Sequence, residues 1–150
     1  MRFMVMVKAT KNSESGAMAV PDAKMREAFA AMGQFNDELG KAGVLLAADG
    51  LQPTSKGARV TFSGDQRTVT DGPFAETKEL VAGFWIWKCA SLQEAIDWAR
   101  RCPCPMPGEE SDIEIRQISE LEDFAHLLEP EHLQRAEHFH KEVNPHRLTS

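Results

Sequence analysis

Residues 2–9 alternate Phe3, Val5 and Val7 with Met4 and Met6, so both faces of this extended segment are apolar. That is the pattern of a strand covered on both sides. Residues 11–19 are polar and small and read as a loop. Val20-Pro21-Asp22 then opens a helix, with Pro21 in the first turn, where its missing N–H costs nothing. Met25, Phe29, Met32, Phe35 and Leu39 recur at helical spacing and form one apolar stripe, which Gly43 closes. Val44 to Ala48 predicts a second strand, and Asp49-Gly50-Leu51-Gln52-Pro53-Thr54 predicts a turn or bulge.

Arg59 to Ser63 and Arg67 to Thr70 flank Gly64-Asp65-Gln66 and predict a hairpin. Asp71-Gly72-Pro73 breaks the chain again. Val81 to Cys89 is the most apolar strand, with Val81, Trp85 and Trp87 on one side and Ala82, Phe84 and Ile86 on the other. It should lie centrally, buried on both faces. Ser91-Leu92-Gln93-Glu94 is a capping box that starts a helix burying Leu92, Ala95, Ile96 and Ala99, stopped before Pro103. Ile113 to Ile118 predicts a last strand. Leu121 to Leu128 and Glu131 to Val143 read as helical, interrupted by Pro130.

The order is β-α-β, a hairpin, β-α-β and a helical tail. It predicts an α+β class, a ferredoxin-like sandwich with a C-terminal helical extension. Such a sheet carries helices on one face, yet the first and fifth strands are apolar on both. The open face needs a cover, supplied either by the tail or by a second copy of the sheet in a symmetric dimer. The tail is mostly charged, which favours the homodimer.

Charge sharpens the division. The chain is 150 residues long with a formal charge of −6. Residues 1–108 carry 13 Lys and Arg against 12 Asp and Glu, a balance of +1. Residues 109–150 carry 4 against 11, a balance of −7, together with all five histidines. A near-neutral body with an acidic tail predicts no nucleic-acid and no anionic-membrane partner, since both need clustered Lys and Arg. The longest apolar stretch, Leu80 to Trp87, is too short to span a bilayer. The first residues lack the apolar region of a signal peptide, so a cytoplasmic location is expected.

The segment Asp71-Gly72-Pro73-Phe74-Ala75-Glu76-Thr77-Lys78-Glu79 holds the candidate chemistry. Asp71 suits backbone N–H groups, Gly72 permits unusual backbone angles, and Pro73 sets the exit direction. Glu76, Lys78 and Glu79 follow, close to an aromatic strand. A carboxylate beside an apolar wall can serve as acid or base near neutral pH. The plainer alternative is a strand connection whose charges face solvent.

Residues 71–79 resemble the signature of the DGPF-domain branch of the YCII-related family. Gly50-Leu51-Gln52-Pro53-Thr54 and Gly83-Phe84-Trp85-Ile86 resemble further segments of that family, and the likeness runs from residue 2 to about 118. The resemblance implies a dimeric α/β barrel in which two ferredoxin-like sheets pack face to face around clefts, with residues 1–118 as the domain and 119–150 as an acidic, His-containing tail. A His–Asp pair is suspected as the catalytic unit of the wider group, with its His on the first helix. Here that helix carries Met32, Phe35 and Asn36, and the first histidine is His126. Asp71, Glu76 and Glu79 remain as candidate catalytic groups. Gly72, Pro73, Phe74, Lys78, Phe84 and Trp85 are the candidate ligand-binding set. The resemblance also implies an accessory role beside an extracytoplasmic-function sigma factor.

No cofactor and no metal is expected. Cys89, Cys102 and Cys104 are an odd number and suit a reducing compartment. Cys102-Pro103-Cys104 lacks a second Cys pair or a nearby His. Glu129-x-x-His132 and Glu137-x-x-His140 repeat a di-iron spacing, but Pro130 divides the first and both fall on one short segment. A solvated helix is the simpler reading of the tail, and Phe124, Leu127 and Leu128 form a small apolar cluster beside it. Two functions stand: a small-molecule-binding or regulatory dimer, or an isomerase- or lyase-type enzyme using the loop carboxylates.

Overall fold

The computed structural model describes residues 1–16 and 23–143. The helix start expected at Val20-Pro21-Asp22 lies outside them. The chain divides into two compact units, Met1–Gln117 and Ile118–Ser150. In the first, a four-stranded sheet runs in the order β2 (Leu45–Gly50), β5 (Val81–Lys88), β1 (Arg2–Lys8), β6 (Ile113–Gln117). Its neighbouring strands are all antiparallel. Helices α2 (Ala23–Lys41) and α3 (Leu92–Arg101) follow β1 and β5 in sequence, and their apolar residues pack on the sheet. The class is α+β, consistent with a ferredoxin-like fold. Strands β3 (Ala58–Ser63) and β4 (Gln66–Asp71) form a separate two-stranded hairpin, exposed on both faces.

Alternation along β1 and β5 aims Phe3, Val5, Val7, Trp85 and Trp87 into the core with Phe35, Leu39, Val44 and Ala95. Phe3, Val5, Leu39 and Trp87 are fully buried. Phe35 meets Trp87 edge-on at 6.2 Å, and Trp85 lies 5.8 Å from Trp87, geometries favoured by aromatic quadrupoles. The opposite face, with Met4, Met6, Phe84 and Ile86, is only half-buried in the single chain. β5 is therefore central, but it is buried on one face rather than two.

Other departures have local causes. Lys11–Ser15 is a short helix, α1, where a loop was expected, because Thr10 and Ser13 cap each other reciprocally. Asp49 and Gly50 continue β2 through pairing with Phe84 and Gly83. At α3, Ser91 Oγ accepts from the Glu94 N–H, while Glu94 Oε2 accepts from the Ala90 N–H. Leu92, expected in the core, is half exposed, and Trp98, which was not expected there, packs against the core instead. Gly64 adopts φ 55° at the hairpin tip, a backbone conformation that glycine enters without a Cβ penalty.

Lys8 Nζ lies 2.8 Å from Glu114 Oε2 across β1 and β6. Its hydrogen bond holds the Glu114 carboxyl below the usual carboxylate range. The small stabilisation of this exposed pair is present at neutral pH and is lost as pH falls through the folded-state value.

The second unit comprises α4 (Leu121–Phe124), a 3₁₀ turn over Ala125–Leu127 and α5 (Pro130–Val143). Pro130 begins the last helix, where proline is tolerated. No helix among the described residues is long and apolar enough to cross a membrane.

Leu39 and Phe29 share one apolar stripe, but Leu39 is fully buried and Phe29 is 63% exposed. Leu39→Ala should cost about 2–5 kcal/mol, and Phe29→Ala should stay within about 0.5 kcal/mol of the parent, as read by urea denaturation.

Candidate functional site

Absent side chains help to shape a cleft beside α2. Gly50 and Gly83 face each other across β2 and β5, and Gly33 sits on the adjoining α2. A Cβ at Gly33 or Gly50 would meet nothing within 4 Å, whereas one at Gly83 would lie 3.1 Å from the Asp49 carbonyl. Gly83 thus makes room for the neighbouring strand, while Gly33 and Gly50 leave open space beside a cleft of about 360 Å³ that all three line. Its walls include Phe29, Met32, Phe84, Trp85 and Met106, with Asn36 and Asp49 as the polar side chains. Asp49 is the one charged side chain among the described lining residues. Trp85 Nε1–H donates to Asn36 Oδ1 at 2.9 Å, which fixes both side chains in the wall.

The Asp71–Glu79 loop lies elsewhere. The Gly72–Pro73 peptide bond is cis. Gly72 N–H donates to the Gly57 carbonyl at 2.9 Å. A Cβ on Gly72 would fall 1.6 Å from the Thr54 carbonyl oxygen, so this close approach demands glycine. Thr54 ties three segments together. Its N–H donates to Glu14 Oε2 at 3.1 Å, its hydroxyl donates to the same carboxylate, and its Oγ1 accepts from the Phe74 N–H at 3.1 Å. The Arg59 guanidinium covers the Phe74 ring, 3.9 Å from its centroid.

The expected site residues thus separate. Phe84 and Trp85 line the cleft. Gly72, Pro73 and Phe74 form the turn held by Thr54, with Asp71 exposed at the end of β4. Glu76, Lys78 and Glu79 line a second, larger recess of about 680 Å³, with Lys11, Glu109 and Glu110. Asn36, Asp49 and Met106 were not anticipated as site residues. The available signal was Asn36 interrupting the apolar stripe of α2 one position after Phe35.

Nucleophilic cysteine chemistry finds no support here. Burial pushes the Cys89 thiol up to about 11, with Glu94 adding to the shift. Burial likewise pushes Cys102 up to about 11, with Cys104 adding. Both remain thiols at neutral pH. Among the described residues, no group of three or more His, Cys, Asp and Glu side chains is placed to hold a metal ion. In α5, His138 pairs with Glu142 at 3.4 Å.

This antiparallel sheet and its helices define an α+β domain, consistent with a ferredoxin-like fold. The chain is a member of the YCII-related family, whose domain model matches residues 1–121. It is also 42% identical over 79 residues to the uncharacterized protein R00369 of Rhizobium meliloti (strain 1021). That match covers 53% of this chain and 63% of the relative, so the chain spans under two thirds of the relative's length.

Gly72→Ala should lower stability by about 2 kcal/mol or more, because the Thr54 backbone must move. Thr54→Val, which keeps the shape but removes the shared hydroxyl, should cost about 1 kcal/mol. Chemical denaturation of both variants checks the turn's architecture.

Proposed function

We propose that this protein is a homodimer that binds a small molecule in the cleft between α2 and the sheet. The carrying observation is the cleft itself. Its volume falls at the lower end of the range typical of ligand sites, about 300–1,000 Å³, and its walls are apolar with few polar groups. The aromatic and thioether walls suit an apolar or aromatic body. Asp49 suits a hydrogen-bond-donating or cationic group, and the Asn36 NH₂ provides a complementary donor. The bound molecule would act as a signal or cargo, in keeping with the accessory role implied by the family resemblance. The Asp71–Glu79 sequence supports placement in the DGPF branch.

A metabolite screen read by thermal shift tests this reading. For a ligand so found, Asp49→Asn should weaken binding about tenfold. Gly33→Leu should abolish binding by filling the cleft, while stability holds or rises because glycine is a poor helix former. Binding unchanged in Gly33→Leu would exclude the cleft.

The half-buried face of Met4, Met6, Phe84 and Ile86 supports dimerisation through paired sheets, the arrangement of a dimeric α/β barrel. Light scattering should give twice the 16.7 kDa chain mass, and Met6→Asp should return a monomer. A monomeric parent at micromolar concentration would refute the pairing.

The enzymatic reading rests on the second recess, where Glu76 and Glu79 share one wall system with Lys78. There Glu76 and Glu79 would exchange protons with a bound substrate, with Asp71 nearby in sequence. Glu76→Gln affecting turnover or affinity while Gly33→Leu does not would favour this reading over the cleft.

A further inference from the structure

Sulfur collects where α3 ends. Cys102 Sγ lies 4.0 Å from Met32 Sδ. Cys104 shares with Met25 and Met32 a small recess of about 60 Å³, bounded also by Phe29, Pro105 and Pro107. The Cys104 thiol donates weakly to the Met106 carbonyl at 3.4 Å. Three sulfur donors therefore lie in one neighbourhood, Cys102 in contact with Met32 and Cys104 sharing a recess with it, two from the end of α3 and the loop after it and one from α2. None is accompanied by a His or carboxylate of the sort that zinc or iron sites recruit.

The spacing is informative. Two sulfurs each about 2.3 Å from one ion, at about 120° to each other, stand about 4 Å apart. That is the Cys102–Met32 separation before any ion is bound. The frame around the donors is stiff. Met32 rides on a long helix, the Cys102 N–H is tied to the Ala99 carbonyl at 3.1 Å, and Pro103 and Pro105 restrict the chain on either side of Cys104. Thiolate and thioether donors select soft ions, of which Cu⁺ is the first-row example, and three sulfurs suffice for it.

We propose that Cys102, Cys104 and Met32 form a three-coordinate site for Cu⁺. On binding, the two thiols release their protons to solvent as two S–Cu bonds form. The Met32 thioether adds as a neutral donor, and the metal stays Cu⁺ throughout. Met32 also lines the ligand cleft, but the metal site requires neither the cleft's ligand nor the dimer.

The test uses the full reduced chain under anaerobic conditions, titrated with Cu⁺ held by a chromogenic chelator. One Cu⁺ should transfer to each chain, and X-ray absorption should show three sulfurs at about 2.3 Å. Met32→Leu, which conserves volume, should weaken binding at least about tenfold and remove one sulfur from the shell. Cys104→Ser, at an exposed position, should abolish stoichiometric transfer. Failure of the parent to take Cu⁺ overturns the proposal. So does transfer that persists in Cys104→Ser, or an affinity and sulfur count unchanged in Met32→Leu.

Discussion

The first unit is organised by a strand that is apolar on both faces in a fold whose helices cover only one. Trp87 shows what the covered side gains. It has no exposed surface and packs against both Phe35 and Trp85. Its indole N–H finds no acceptor among the described residues. Leaving a buried donor unpaired costs about 1–3 kcal/mol, comparable to the about 1.5–3 kcal/mol gained by fully burying one large apolar side chain. The burial of Trp87 therefore offsets that single unmet bond. Met4, Met6, Phe84 and Ile86, on the same strands, enjoy no such cover, and that asymmetry drives the proposal of a second copy.

How much of this was legible depended on the range of the interaction. Period-two and period-3.6 patterns named every strand of the sheet and helices α2 and α3, because burial imposes those periods directly. Gly64 marked a hairpin tip through backbone chemistry confined to one residue, whereas Pro130, read as an interruption between two helices, is the first residue of the last one. Helix α1 escaped notice because a Thr10–Ser13 polar cap holds it, with no apolar stripe to betray it. The extension of β2 through Asp49 and Gly50 also escaped, since a partner more than thirty residues away supplies it. The same distance problem exchanged Leu92 for Trp98 at the core face of α3.

The site was legible only in pieces. Asp71-Gly72-Pro73 read as a break in the chain, but the reason glycine stands at 72 is the Thr54 carbonyl, which no local spacing predicts. Phe84 and Trp85 drew attention as aromatics on an apolar strand. The cleft beside them is helped open by missing bulk at Gly33 and Gly50, which lie on different elements. Voids arise from absences distributed through the chain, so a search for chemical side chains passes over them.

The two recesses also differ in what they can supply energetically. Glu76, Lys78 and Glu79 are exposed, and pairs between exposed charges are worth about 0–1 kcal/mol and are screened by salt. A ligand held there must find specificity in geometry that solvent-facing side chains maintain poorly. The cleft instead offers Met106 and Trp85 from the core itself, each almost fully buried, and a wall amide already locked by its bond to the indole. Apolar surface removed from water contributes about 25 cal/mol per Å², and rigid walls spare the ligand much of the ordering cost that binding normally incurs. On physical grounds the cleft is the better of the two recesses for holding a small molecule, as proposed above. The charged loop, anchored through Thr54 to Glu14, is better suited to holding the turn between the hairpin and β5 in place.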